Sequence, residues 1–190
     1  MILHKVKVYP SKIHFSKKKQ LAWKIAEIAS DNAKLNKDVI EMVNEFVDFY
    51  GKNIVKESTL INGVKEFLIW SKEKNIAMAV CTNKQEYLAI DLLKKIGIYD
   101  FFEYVAGHNT FDYSKPDPRH LTSVVEILEG DLNKTLMIGD SETDANAAKE
   151  AGIPLILLEN GYTEKNITEI HHNHLIKDFI NIEKIVLKYL

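Results

Sequence analysis

LMIGDSETDANAAKEAG, residues 136–152, is the stretch on which the fold turns. Leu136, Met137 and Ile138 form an apolar run too short for a helix and suited to a strand covered on both faces. Gly139 permits a tight turn, Asp140 stands at the strand's end, and Ser141 opens a helical pattern that Gly152 stops. Ser141 and Asp144 carry the spacing of a capping box, and an acid in a first helical turn is favoured by the helix dipole. Capping therefore accounts for Asp144. It leaves Asp140 without a role in the helix, and a magnesium ion typically takes one or two carboxylates together with water and phosphate oxygens.

Outward from this stretch the same alternation repeats. IAMAVC, residues 76–81, is apolar on both faces and reads as a strand; Thr82 and Asn83 follow it, and Asn83 can cap the helix QEYLAIDLLKKIG, which ends at Gly97. FEYVAG is a short strand candidate, Asp117 and Pro118 start a helix through about Leu128, and IPLILL is a further strand. VKEFLIWSKEKN and the tail INIEKIVLKYL carry the spacing of helices with one apolar face. Strands alternating with helices predict right-handed crossovers and a parallel sheet covered on both faces, a three-layer Rossmann-like α/β fold. Residues 17–60 differ: QLAWKIAEIASDNAKL and DVIEMVNEFVDFYGKN predict an antiparallel helical pair. Trp23 and Trp70 read as contacts within the core or the lobe.

A chain of 190 residues with 46% apolar and 27% charged residues supports one main core, with room for a small accessory lobe. No apolar run approaches the ~18 residues of a membrane span, and no secretory leader pattern is present, so a cytoplasmic protein is expected. Cys81 stands alone, which rules out an intrachain disulfide. The net charge of -2 gives no general attraction to nucleic acid or an anionic membrane. The first twenty residues, with six lysines and no acid, are an exception that fits either a polyanion-binding arm or a solvated terminus. His171, His172 and His174 lack a cysteine partner and read as a polar loop before the last helices.

At the carboxyl ends of strands in such a sheet, helix N-termini and loop amides converge on ligands. Thr82 and Asn83 sit at one such end, where a hydroxyl and free amides suit a phosphate oxygen or, equally, a plain helix cap. Lys115 precedes Pro116, Asp117 and Pro118, so it rides a stiff loop and loses little entropy on meeting an anion; a helix entry alone would also explain the string. The order of these clusters is more informative than any one of them. Strand then Thr-Asn, Lys-Pro, strand then Gly-Asp-x-x-x-Asp resembles the haloacid dehalogenase (HAD) superfamily, most closely its phosphoglycolate-phosphatase-like members. AVCTNK is similar to the second motif of that family, SKPDP to the third and MIGDSETD to the fourth, while TLINGVKEFL resembles the return from a helical cap into the core. The match runs roughly from residue 50 to 162. A response-regulator receiver also combines Asp, Thr and Lys-Pro, but there the acidic pair precedes the threonine.

The resemblance implies a magnesium-dependent phosphatase acting on a small phosphorylated metabolite, without nucleic-acid or membrane partners and with a homodimer among its conceivable states. Thr82 would hold the phosphoryl group, Lys115 would neutralise it, Asn83 and Ser141 would orient, and Asp140 would bind magnesium with Asp144 directly or through water. The expected division is an atypical arm or replacement strand over 1–16, a helical cap remnant over 17–60 and the α/β core over 61–190. The family's first motif, a strand ending in Asp-x-Asp, has no counterpart: Glu27 is the sole acid in residues 1–30, and Asp48 in FVDFYG lies in a helical pattern. That first strand belongs in the middle of the sheet, and the alternating run ILHKVKVY is the segment available to fill the slot. Three expectations follow: a shortened or disrupted phosphatase, a non-catalytic pseudoenzyme with a replacement strand, or a site completed by a second chain.

Overall fold

The computed structural model describes residues 2–4, 9–10, 58–159, 161 and 165–189. The helical pair read over residues 17–60, with Trp23 and Asp48, therefore lies outside the described residues except for its last few positions. The chain divides into two compact units, one built from Met1–Val8 with Leu60–Leu190 and one from Tyr9–Thr59. In the second unit, β2 (Tyr9–Pro10) pairs antiparallel with β3 (Ser58–Thr59).

The first unit is a parallel sheet between helices. Its strands are β1 (Ile2–His4), β4 (Met78–Cys81), β5 (Tyr104–Ala106), β6 (Leu136–Gly139), β7 (Leu155–Leu158) and β8 (His174–Ile176). They lie in the order β5-β4-β1-β6-β7-β8, and every neighbouring pair is parallel. The helices are α1 (Val64–Glu73), α2 (Glu86–Lys95), α3 (Arg119–Ile127), α4 (Glu142–Glu150) and the short α5 (Glu183–Val186).

Strand side chains alternate between two cores, as the period of two requires. Met78, Val80, Leu136, Ile138, Ile156 and Leu158 meet Val64, Phe67 and Leu68 of α1, Leu93 of α2, and Phe179, Ile182 and Val186 near the C-terminus. Ala79, Cys81, Met137, Leu155 and Leu157 meet Leu121, Val124 and Val125 of α3 and Ala145, Ala147 and Ala148 of α4. Burial on both faces explains why β4, β6 and β7 read as unbroken apolar runs. Trp70 packs beside Phe67 at the edge of the first core, with ring centroids 5.9 Å apart.

β1 occupies the central slot, with Ile2, Leu3 and His4 level with Met78, Ala79 and Val80 on one side and Leu136, Met137 and Ile138 on the other. The N-terminal run thus supplies the strand that covers the inner edges of β4 and β6. Two local features differ from the sequence-based expectation. His174 is not in a loop but begins β8, whose Asn173 shoulder accepts from the Leu155 N–H through its side chain at 2.8 Å. Asn83 does not cap α2; Gln85 is the N-cap residue, and the Glu86 N–H donates instead to Asn109 Oδ1 at 2.9 Å.

Candidate active site

β4 and β6 flank β1, and the segments that follow β4, β5 and β6 bring the three polar clusters to one region of the sheet. Thr82, only 6% exposed, leaves β4 with its N–H on the Ala106 carbonyl at 2.9 Å, and its Oγ1 accepts from the Lys84 N–H at 3.1 Å. Asn83 turns its amide toward the lysine loop: Nδ2 donates to the Lys115 carbonyl at 2.6 Å. Lys115, joined to Pro116 by a cis peptide, reaches back with Nζ to the Cys81 carbonyl and to Asp144 Oδ1, each at 2.6 Å.

The Lys115–Asp144 pair is fully buried, with both side chains at 0% exposure. Burying two charges is costly, so such a pair holds only where further hydrogen bonds satisfy it. Asp144 meets that condition: Oδ2 accepts from the Asp140 N–H at 3.0 Å, the Ser141 N–H at 3.2 Å and the Ser141 hydroxyl at 2.6 Å. The capping box expected of Ser141 and Asp144 is formed, since the Asp144 N–H also donates to Ser141 Oγ at 3.3 Å. Asp144 is therefore at once the cap of α4 and the counter-charge of Lys115. Gly139 makes room for it: a Cβ there would lie 2.5 Å from the Asp144 Cβ.

Asp140 lies at the end of β6 with no solvent exposure. Gly161 packs against its backbone, so closely that a Cβ on residue 161 would fall 1.7 Å from the Asp140 carbonyl oxygen. As a hard oxygen donor at a strand end, Asp140 is of the kind magnesium accepts, whereas both Asp144 oxygens already hold protein donors. Among the described residues no three His, Cys, Asp or Glu side chains converge as a metal site. Among the described residues Asp140 would be the carboxylate to hold a divalent ion here, with ligand oxygens and water able to complete its shell.

Two further buried groups lie beside this region: Cys81, which the sequence marked only as a lone cysteine at the end of a buried strand, and His120, which sequence reasoning missed. Burial pushes the Cys81 thiol up to about 12, with Lys115 opposing, so Cys81 is no nucleophile near neutral pH. His120, in the first turn of α3 and fully buried, is pushed down to about 4 by burial first and by Lys115 second. A histidine within an apolar helix face is the only signal that marked it. Among the described residues no helix is long and apolar enough to cross a membrane.

Residues 13–158 match the family model described as haloacid dehalogenase-like hydrolase. The phosphoglycolate phosphatase of Mesorhizobium japonicum is 38% identical over 134 residues, covering 70% of this chain and 59% of that enzyme. The phosphoglycolate phosphatase of Agrobacterium fabrum is 35% identical over 156 residues, covering 80% of the chain and 67% of the relative. The chain thus spans about three-fifths to two-thirds of the length of these curated relatives. A crystal structure of a predicted phosphoglycolate phosphatase from Haemophilus somnus superimposes with a TM-score of 0.76 at 28% identity, covering 87% of this chain and 75% of that one. With the parallel sheet, Thr82 and Asp140 at strand ends, Lys115 on the loop before α3, and this match over most of its length, the chain belongs to the haloacid dehalogenase-like hydrolase family.

Proposed function

We propose that this chain carries the phosphoryl- and magnesium-binding apparatus of a phosphoric monoester hydrolase, with a small phosphorylated acid of the phosphoglycolate class as its substrate. The observation that carries this reading is the buried Lys115–Asp144 pair, which ties the loop before α3 to the loop after β6 while Lys115 also bonds to the end of β4. Three separate strand-end segments are thereby held in one frame around Thr82 and Asp140. Phosphoryl transfer requires positioning and neutralisation of the equatorial oxygens more than covalent help. Thr82 offers a hydroxyl to such an oxygen, and Lys115 supplies a positive charge that cannot swing away. Asp140 would hold magnesium directly, and Asp144 would act on it through the Asp140 and Ser141 amides that it orders. Bound magnesium would add neutralisation of the phosphoryl charge.

A second reading is favoured by a specific observation. Ile2–His4 form the central strand, and residues 1–30 contain no aspartate, which supports a pocket that lacks the attacking carboxylate. In that reading the pocket binds a phosphoryl group and a metal without hydrolysis. Purified chain incubated with 2-phosphoglycolate and magnesium decides between them. Phosphate release abolished by Asp140→Asn supports the hydrolase; phosphate binding without release supports the module; neither binding nor release rejects both.

A further inference from the structure

The segment between β5 and α3, residues 107–118, carries Lys115 and is braced at its start as well as at its end. The Gly107 N–H donates to Thr110 Oγ1 at 2.8 Å, and the Thr110 hydroxyl in turn donates to the Glu86 carboxylate in the first turn of α2. His108 stands inside this brace and bonds in two directions. Its backbone N–H donates to the Lys84 carbonyl at 2.8 Å, two residues beyond Thr82. Its ring Nδ1 lies 3.0 Å from Oγ of Ser114, the residue immediately before Lys115.

We propose that His108 is a positioning residue for the Thr82–Lys115 pair: through Lys84 and Ser114 it pins the chain beyond one to the chain entering the other. The bonds that Lys115 itself makes, to Asn83, Cys81 and Asp144, fix the lysine once it has arrived. The His108–Ser114 bond acts one residue earlier in the chain, on the direction in which the backbone enters Lys115. Both partners are partly buried, so water competes poorly for their hydrogen bond. His108 acts on the phosphoryl group only through the segments that carry Thr82 and Lys115. The phosphate half of the argument rests on the function proposed above, whereas the bracing of Lys115 does not.

Two measurements on the full chain separate these layers. Acetylation of Lys115 by acetic anhydride, followed by peptide mass spectrometry, reports how often the buried ammonium is released to solvent. His108→Phe, which keeps the ring shape but loses Nδ1, should raise the Lys115 labelling rate about fivefold with little change in the thermal midpoint, as expected for one lost hydrogen bond. His108→Asn, whose amide can replace Nδ1, should restore protection. Ser114→Ala should reproduce the effect, and His108→Phe added to it should change nothing more. Calorimetric titration with inorganic phosphate should show the same pattern in affinity. Unchanged labelling in His108→Phe, additive effects of the two substitutions, or failure of His108→Asn to restore protection overturns the proposal. Absence of phosphate binding by the unsubstituted chain would reject the proposed function while leaving the labelling result to decide the role of His108.

Discussion

At the scale of single residues, the site is governed by one carboxylate with two duties. Asp144 caps α4 and neutralises Lys115, so its removal strands an ammonium with no exposure. Breaking a buried pair at one end costs about 3–5 kcal/mol, and Asp144→Ala is expected to fall in that range in denaturant unfolding. A loss below about 1 kcal/mol would show that water already reaches Lys115. Gly139→Ala should be damaging for a steric reason: the added Cβ would lie 2.5 Å from the Asp144 Cβ, forcing a backbone shift worth about 1–3 kcal/mol. His120 adds a pH dependence. Its folded value of about 4 lies below the ordinary 6.5, so between those values the unfolded chain binds more protons than the folded one. Stability from this group is whole above pH 6.5, falls as pH is lowered toward 4, and loses nothing further below that. The full loss is about 3 kcal/mol at 1.36 kcal/mol per unit. Unfolding free energies measured against pH should therefore slope less steeply in His120→Phe than in the unsubstituted chain; parallel slopes would contradict the assignment.

At the scale of elements, much was legible because period and punctuation agree. LMIG, MAVC and LILL are buried on both faces and read as strands from their unbroken apolar runs, and Ser141 with Asp144 announced the start of α4 by spacing alone. Two elements were misread for physical reasons that local sequence does not carry. Asn83 has the composition of a cap, but its amide is drawn 32 positions along the chain to the Lys115 carbonyl, and Asn109 caps α2 from 23 positions away. β8 begins in the polar HHNH string because its pairing with β7, level at Ile156 with His174, supplies the strand; its own side chains are only half-buried and give a weak pattern. In the site, the residue types and their order were legible, whereas the pairing of Lys115 with Asp144 depends on how the segment between β5 and α3 folds back over the ends of β4 and β6. The remote cap is testable. Asn109→Ala should destabilise by about 1 kcal/mol, the ordinary cost of a lost N-cap, and increase amide exchange at Glu86. An unchanged rate there would mean that the Thr110–Glu86 bond alone holds the turn.

At the scale of the whole molecule, β1 joins the two halves of the sheet: among the described strands, the backbone ladder of β5 and β4 reaches that of β6, β7 and β8 through it. Thr82 leaves the first half and Asp140 the second, so a ligand held by both would bridge the halves in parallel with β1. Binding that occurs only in the folded state stabilises by RT ln(1 + [L]/Kd), about 2.7 kcal/mol at a hundredfold excess over Kd. Magnesium with inorganic phosphate should accordingly raise the thermal midpoint more than either does alone, because each supplies oxygens or charge that the other needs. Chelation should reverse the magnesium-dependent part of the rise, and Asp140→Asn should abolish it. Leu3→Pro offers the complementary case, since proline removes a ladder N–H from the strand that pairs on both sides with Ala79 and Met137. It should cost about 3 kcal/mol or more, and magnesium with phosphate should recover part of that loss if the ligand spans the same two halves. A midpoint in Leu3→Pro that fails to respond to the two together, while the unsubstituted chain responds, would show that the pocket forms only once β1 is seated.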